Sequence, residues 1–342
     1  MIRLEERAGS TPPAEELDFS CGGLLPLIEP VERAPAIWDD RGNTWLTRQD
    51  LRAASLGLAE RLGSRRKQLV FLFCGANCET LIGLLAATAA GHATALIDPS
   101  LAEDRLKGLI EAYQPDIVLG ARGLGEKIRA VADAAPGSLK SETGAIEWIE
   151  RKAEPPAAPI DPAVALLLST SGTTGSRKYV RLSRDAIVAN ARQIAEALSI
   201  DQQSAGVAHL PLHYSYGLSI VTSHLVAGGR ICLINDSITS PSFWSKIGTA
   251  GGSHFPGVPF HYAALARLGP AIVPDSVKVF TQAGGALDLR IQTKIHEWAA
   301  QRGGRFFVMY GQTEASPRMA TLRHEDHARK AGSVGVALAG GR

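Results

Sequence analysis

QLVFLFCGANCETLIGLLAATAAGHATALID, Gln68 to Asp98, begins with an unbroken apolar run that ends in a small-residue loop and passes into a second apolar block. A short apolar run without polar alternation reads as a strand buried on both faces. A helix over Glu79–Ala90 follows, and then the strand ATALID. Two fully apolar strands joined through a helix imply a parallel sheet covered by helices on both sides. Part of this text, Leu81 to Ile97, approaches membrane-span length. Thr88, Gly91, His92 and Thr94 interrupt it, so a buried helix running into a strand is the reading and no membrane span is expected.

The same alternation extends outward. AIWDDRGNTWLTRQDLRAASLGLAERLG, from Ala36, reads as strand, turn at Asp40–Asn43, strand, then a helix capped by Thr47, carrying Leu51, Ala54, Leu58 and Leu62 on one face and stopped by Gly63. Ala153–Pro162, AEPPAAPIDP, is a proline-rich connector and marks a subdomain boundary, giving parts of about 20–160 and 161–342. Beyond it come strands at AVALLLS, GVAHLPL, ICLIND, VKVFTQAG and FFVMYGQ, with a helix over Arg184–Leu198. The expected class is α/β.

With 342 residues the chain can bury a large interior, and 36 basic against 34 acidic side chains leave +2, which is no footprint for nucleic acid. Cys21, Cys74, Cys78 and Cys232 lack the second Cys/His pair of a zinc site and read as reduced thiols. The charged, proline-containing first residues do not form a secretory signal, so a cytoplasmic location is expected. Composition leaves the oligomeric state open.

One loop carries chemistry. LLLSTSGTTGSRKYVRLS, Leu166 to Ser183, places Thr170, Ser171, Gly172, Thr173, Thr174 and Gly175 directly after an apolar strand, with Lys178 three residues beyond. Glycine backbone, hydroxyl donors and a lysine suit a phosphate chain. A solvated Ser/Thr/Gly turn is the alternative, and the loop alone does not decide between them. The Walker A spacing is absent, because Ser176 and Arg177 separate Gly175 from Lys178.

The loop TSGTTGSRKY resembles the signature of the adenylate-forming synthetases, the family of acyl-CoA synthetases, acyl-AMP ligases, luciferases and peptide-synthetase adenylation domains. Arg177 and Tyr179 stand where that family has proline and glycine. Three further segments resemble its motifs in order: PLHYSYGLS at Pro211–Ser219, QAGGAL at Gln282–Leu287, and MYGQTEAS at Met309–Ser316. The resemblance implies a large N-terminal domain of two α/β subdomains with mostly parallel sheets, plus a small β-barrel-like subdomain. It implies ATP and Mg²⁺ as cofactors, a small carboxylic acid as substrate, and coenzyme A or the phosphopantetheine arm of an acyl-carrier protein as acceptor.

By the same resemblance, Lys178 and the loop hydroxyls hold the β and γ phosphates, Thr313 the α-phosphate and Glu314 the metal, while His213 orients the carboxylate. Gly284, Gly285, Ala286, Tyr310, Gly311 and Gln312 frame the nucleotide. The acyl pocket is lined by His213, Tyr214, Gly217, Val258, Phe260, Gln282, Ala283 and Gly284. An aromatic plane suits a nucleobase and a hard carboxylate suits magnesium. Standing alone, His213 reads more readily as a structural histidine than as a functional one, and Tyr214, Tyr216 and Phe260 read equally as core.

Relatives continue past GSVGVALAGG, Gly332–Gly341, with a ribose-binding aspartate, a hinge and a small domain of roughly a hundred residues. The expectation is an N-terminal domain alone, competent to bind and weakly active. A non-catalytic nucleotide- or acyl-binding protein is the alternative function. A kinase is disfavoured by the missing glycine-loop signatures.

Overall fold

Apolar strands buried on both faces set the architecture. A computed structural model describes residues 23–29, 33–63, 66–123, 139–151, 159–170 and 178–341. The strands in chain order are β1 Pro35–Asp39, β2 Thr44–Thr47, β3 Leu69–Phe73, β4 Ala93–Ile97, β5 Ile117–Ala121, β6 Leu139–Thr143, β7 Ile146–Glu150, β8 Val164–Ser169 and β9 Tyr179–Ser183, followed by β10 Ala205–Ala208, β11 Arg230–Leu233, β12 His254–Gly257, β13 Val279–Gln282, β14 Arg305–Gly311, β15 Arg318–Leu322 and β16 Val336–Ala337. The main helices are α1 Arg48–Leu62, α2 Cys78–Ala89, α3 Glu103–Tyr113, α4 Arg184–Leu198, α5 Ser215–Val226, α6 Pro241–Ala250, α7 Pro259–Leu268 and α8 Leu289–Gln301.

Two sheets result. One has seven strands in the order β6-β7-β5-β3-β4-β8-β9, the other nine in the order β16-β15-β14-β13-β12-β10-β11-β1-β2. Both are parallel at the centre and antiparallel at the edges. The expected α/β class with mostly parallel sheets is present. Among the described residues no closed barrel accompanies the two sheets.

Side chains alternate between layers. In β3, Val70 and Leu72 enter a core shared with α1, α2, α4 and α5, whereas Leu69, Phe71 and Phe73 face α3 through Leu106, Leu109 and Ile110. In the nine-stranded sheet, Ile37 and Ile231 face that shared core, while Trp38, Cys232 and Phe255 join α6, α7 and α8. The order is therefore helix, sheet, helices, sheet, helices. Each fully buried large apolar side chain contributes about 1.5–3 kcal/mol, so this sandwiching rather than local propensity fixes the sheets.

Local signals set the helix ends. Thr47 and Asp50 form a capping box at α1, Ser183 accepts from the Ala186 N–H at α4, and the Gly63 N–H donates to the Ala59 carbonyl where α1 stops. The Leu81–Ile97 text divides into the end of α2 and β4, and no described helix is long and apolar enough to cross a membrane. The proline-rich connector does not coincide with the change of sheet. β8 and β9, which follow it, complete the seven-stranded sheet, while β1 and β2 at the start of the chain pair into the nine-stranded sheet beside β11. Parallel pairing joins strands far apart in sequence, which a linear reading of linkers does not register.

Candidate active site

The chain runs from β10 through α5 to β11 on one side, then crosses back through α6 to β12 on the other. In open α/β sheets, ligand crevices form beyond the carboxyl ends of strands near such reversals. A cleft of about 860 Å³ lies there, lined by the segments after β10, β13 and β14, with Thr170 from the end of β8. Of the sequence-predicted residues it collects Thr170, Tyr214, Gln282, Ala283, Gly284, Gly285, Ala286, Tyr310, Gly311, Gln312, Thr313 and Glu314.

The β13 end is pinned from inside. Gln282 is buried, and its Nε2 donates to the Gly285 carbonyl at 2.8 Å and to the Ala283 carbonyl at 3.2 Å, so one amide holds both sides of the turn. Gly284 sits at φ +80°, and a Cβ there would strike the Tyr214 hydroxyl and press on Val258. The backbone can therefore line the cleft closely.

The β14 end is shaped by a second close approach. At Gly311 the β14–β15 register shifts, and a Cβ would collide with the Pro317 carbonyl. Tyr310 emerges 48% exposed on the cleft. Thr313 Oγ1 and Ser215 Oγ share a hydrogen bond of 3.2 Å, which ties this turn to the first residue of α5. Glu314 is exposed and forms no hydrogen bond or ion pair among the described residues, leaving its carboxylate available.

Other predicted residues lie elsewhere. Ser171 to Gly175, and Arg177, fall outside the described residues. Lys178 is exposed at the base of the β8–β9 connection and does not line the cleft; Tyr179 beside it pairs with Ser169 and packs edge-on against Tyr113, ring centres 5.4 Å apart. His213 borders the cleft-lining Tyr214 in sequence but faces Asp98, with Nε2 3.7 Å from Oδ2. Burial holds it below the ordinary imidazole range while Asp98 pulls the other way. Gly217 is buried in α5, where a Cβ would meet the Pro211 carbonyl; its role in the structure is helix packing. Val258 caps α7 without lining the cleft, and Phe260 is 68% exposed and does not line it.

The sequence reading missed Arg318. Basic residues normally face water, so nothing local marked it. It lines the cleft at 3% exposure, and its backbone is clamped by Asn190, which donates from Nδ2 to the Arg318 carbonyl at 2.7 Å and accepts from the Arg318 N–H at 3.3 Å. Burial pushes the guanidinium down to about 10, which leaves it charged at neutral pH.

A family model described as AMP-binding enzyme matches residues 29–342. The chain belongs to the AMP-binding enzyme family. Its similarity to other members is modest in identity and broad in extent. Apicidin F synthase of Gibberella fujikuroi is 24% identical over 332 residues, covering 92% of this chain and 6% of that protein. The D-alanine–D-alanyl carrier protein ligase of Staphylococcus aureus is 25% identical, covering 60% of this chain and 41% of its own length. Among solved structures, o-succinylbenzoate CoA synthetase of Bacillus subtilis, in complex with its acyl-adenylate intermediate, superposes with a TM-score of 0.72 at 22% identity, over 92% of this chain and 63% of that one. This AMP-binding chain thus spans less than two thirds of those proteins, and the structural likeness establishes the fold.

Proposed function

We propose that this chain binds ATP and a small carboxylic acid and joins them as acyl-AMP, releasing pyrophosphate. The observation that carries the reading is the convergence, in one cleft, of the Gly284–Ala286 turn, the Tyr310–Glu314 segment and Thr170 at the root of the hydroxyl-rich loop. Attack of the carboxylate on the α-phosphorus needs positioning and charge neutralisation more than acid–base work. No side-chain nucleophile is required.

The residues present suit an adenine nucleotide with its magnesium. The exposed ring of Tyr310 offers a stacking face, and the glycine turn lets backbone groups approach the base. Thr313 offers a hydroxyl to a phosphoryl oxygen, and Glu314 offers an unengaged carboxylate to the metal, which neutralises phosphate charge when bound. Lys178 and the hydroxyls of the preceding loop are assigned to the outer phosphates, and His213 to the rim near the reacting carboxylate. A thiol acceptor, coenzyme A or a carrier-protein arm, then takes the acyl group; the carrier-protein ligase among the relatives supports that partner.

Acid-dependent exchange of labelled pyrophosphate into ATP tests this. Exchange in the wild type that is lost in Glu314→Ala supports adenylation. Saturable ATP binding without exchange for any acid would favour a nucleotide- or acyl-binding protein.

A further inference from the structure

Arg318 and Arg48 are both buried arginines, and they are satisfied differently. Arg48 donates through Nη2 to the Leu225 and Gly229 carbonyls at 2.9 and 3.0 Å. Arg318 donates from Nε to Ser219 Oγ at 3.1 Å and from Nη1 to the Met309 sulfur at 2.8 Å, and its guanidinium carbon lies 4.7 Å from the centre of the Tyr216 ring. Its Nη2 has no partner among the described residues. A thioether is a weak acceptor, and a ring face is a partial substitute for a counter-charge. No carboxylate among the described residues pairs with this guanidinium, and a buried cation without one is held at a free-energy cost unless a ligand supplies the charge.

Its place in the fold narrows what that ligand is. Tyr216 and Met309, which hold the guanidinium between them, both line the cleft. Ser215 meets Thr313 at the rim, and Ser219, which holds the Arg318 Nε, lies four residues further along α5. One helical turn, about 6 Å, thus separates the rim from the hydroxyl that holds the cation. The thioether of Met309 is flexible enough to yield Nη1 to a better acceptor.

We infer that Arg318 is a specificity-determining residue that receives a second carboxylate of the substrate, so that the preferred acid is a short dicarboxylic acid activated at one end and held by the guanidinium at the other. A backbone of roughly four to six carbons spans the distance. Guanidinium and carboxylate match in geometry and charge, which a lysine at the same place does not reproduce. This rests on the adenylation reading and adds the class of acid.

The test compares matched pairs, succinate with butanoate, glutarate with pentanoate and adipate with hexanoate, by pyrophosphate exchange in the wild type, Arg318→Met and Arg318→Lys. The wild type should favour the best diacid over its monoacid by about tenfold or more in kcat/KM. Arg318→Met should lower diacid kcat/KM by about 10- to 100-fold, through KM, while leaving monoacids within about threefold; Arg318→Lys should fall between. Monoacid preference in the wild type, or an equal loss for both classes in Arg318→Met, overturns the inference. So does weakened ATP binding by Arg318→Met in the absence of acid, which would assign the arginine to the nucleotide. Should Arg318→Met fail to fold by circular dichroism, Arg318→Lys decides on the same criterion. If no acid supports exchange, the adenylation reading fails, and calorimetric titration with glutarate and pentanoate decides this one separately. Arginine-dependent binding of glutarate alone supports it; equal or absent binding overturns it.

Discussion

The seven-stranded and nine-stranded sheets share parallel centres and antiparallel edges, yet among the described residues only Thr170, just past β8, brings the first to the cleft, while strands, helices and loops of the nine-stranded half supply the rest of its lining. The difference lies in how strand ends are closed. After β3, Asn77 caps α2 by accepting from the Thr80 N–H, and the Gly75 N–H donates to Thr80 Oγ1. After β4, Asp98 accepts from the N–H and hydroxyl of Ser100. Those ends are closed largely by bonds of their own, with Asn235 adding a bond to the Ala76 carbonyl at 2.9 Å. After β13 and β14, glycine turns held from beneath by Gln282 and from the side by Ser215 leave backbone and side chains facing open space. Among the described residues the first sheet is mainly scaffold, and the second carries most of the cleft.

The largest effect expected from that division is on stability alone. Phe71 is 1% exposed in β3 between its sheet and α3, and Phe71→Ala should cost about 3–5 kcal/mol in chemical denaturation. ATP affinity measured well below the denaturation midpoint should stay within about twofold, since the residue itself does not line the cleft. A parallel fall in affinity would break the comparison and make the two sheets one functional unit.

Acid separates the sheets next. His224 and His254 are buried in the nine-stranded half with ring centres 4.9 Å apart; burial pushes His224 down to about 4 and His254 well below the ordinary range. Their folded values lie below the unfolded value of about 6.5, so as pH falls through that value the unfolded chain binds protons that the folded chain does not. Stability is therefore full above about 6.5 and is lost toward about 4, by about 3 kcal/mol for a histidine shifted as His224 is. The seven-stranded half has one buried histidine on this side of the comparison, His92, shifted in the same direction. Hydrogen exchange at pH 5 against pH 7 should accelerate more in β10–β12 than in β3–β5; the reverse order would place the acid-sensitive unit in the scaffold.

Much of this was legible in the text. Thr47, Ser183 and the 3.6-residue periodicity set α1 and α4, because capping and amphipathicity are local. The Gln282–Ala286 and Tyr310–Glu314 segments read as binding loops through their resemblance to family motifs, and both line the cleft. What did not read from sequence is non-local. β1 pairs with β11 across the whole first half of the chain, Gly217 serves packing against Pro211, Phe260 points to solvent, and His213 turns toward Asp98. Arg318 went unnoticed because its partners, Asn190, Ser219 and Tyr216, lie on two helices distant in sequence.

Within the site sheet, support should matter more than bulk. Gln282→Met keeps volume but removes the donor that holds the Ala283 and Gly285 carbonyls. Loss of that bond should cost about 2 kcal/mol of ATP affinity, roughly 30-fold, with the denaturation midpoint less affected. An unchanged affinity would mean the turn keeps its shape without its buried amide.

The smallest effect is the most discriminating. Ser215, buried, meets half-buried Thr313 by one hydroxyl contact at 3.2 Å and joins the first turn of α5 to the end of β14. Ser215→Ala removes that bond and no buried volume of consequence, so the fold should lose almost nothing. ATP affinity should fall by about 1 kcal/mol, roughly fivefold, if the bond holds Thr313 in the orientation a phosphoryl oxygen needs. Thr313→Ser, which keeps the hydroxyl but frees its rotation, should then lie between wild type and Ser215→Ala. If Ser215→Ala instead lowers the unfolding midpoint and leaves affinity alone, the contact belongs to the scaffold, and the boundary between scaffold and site runs through the first turn of α5 rather than beneath it.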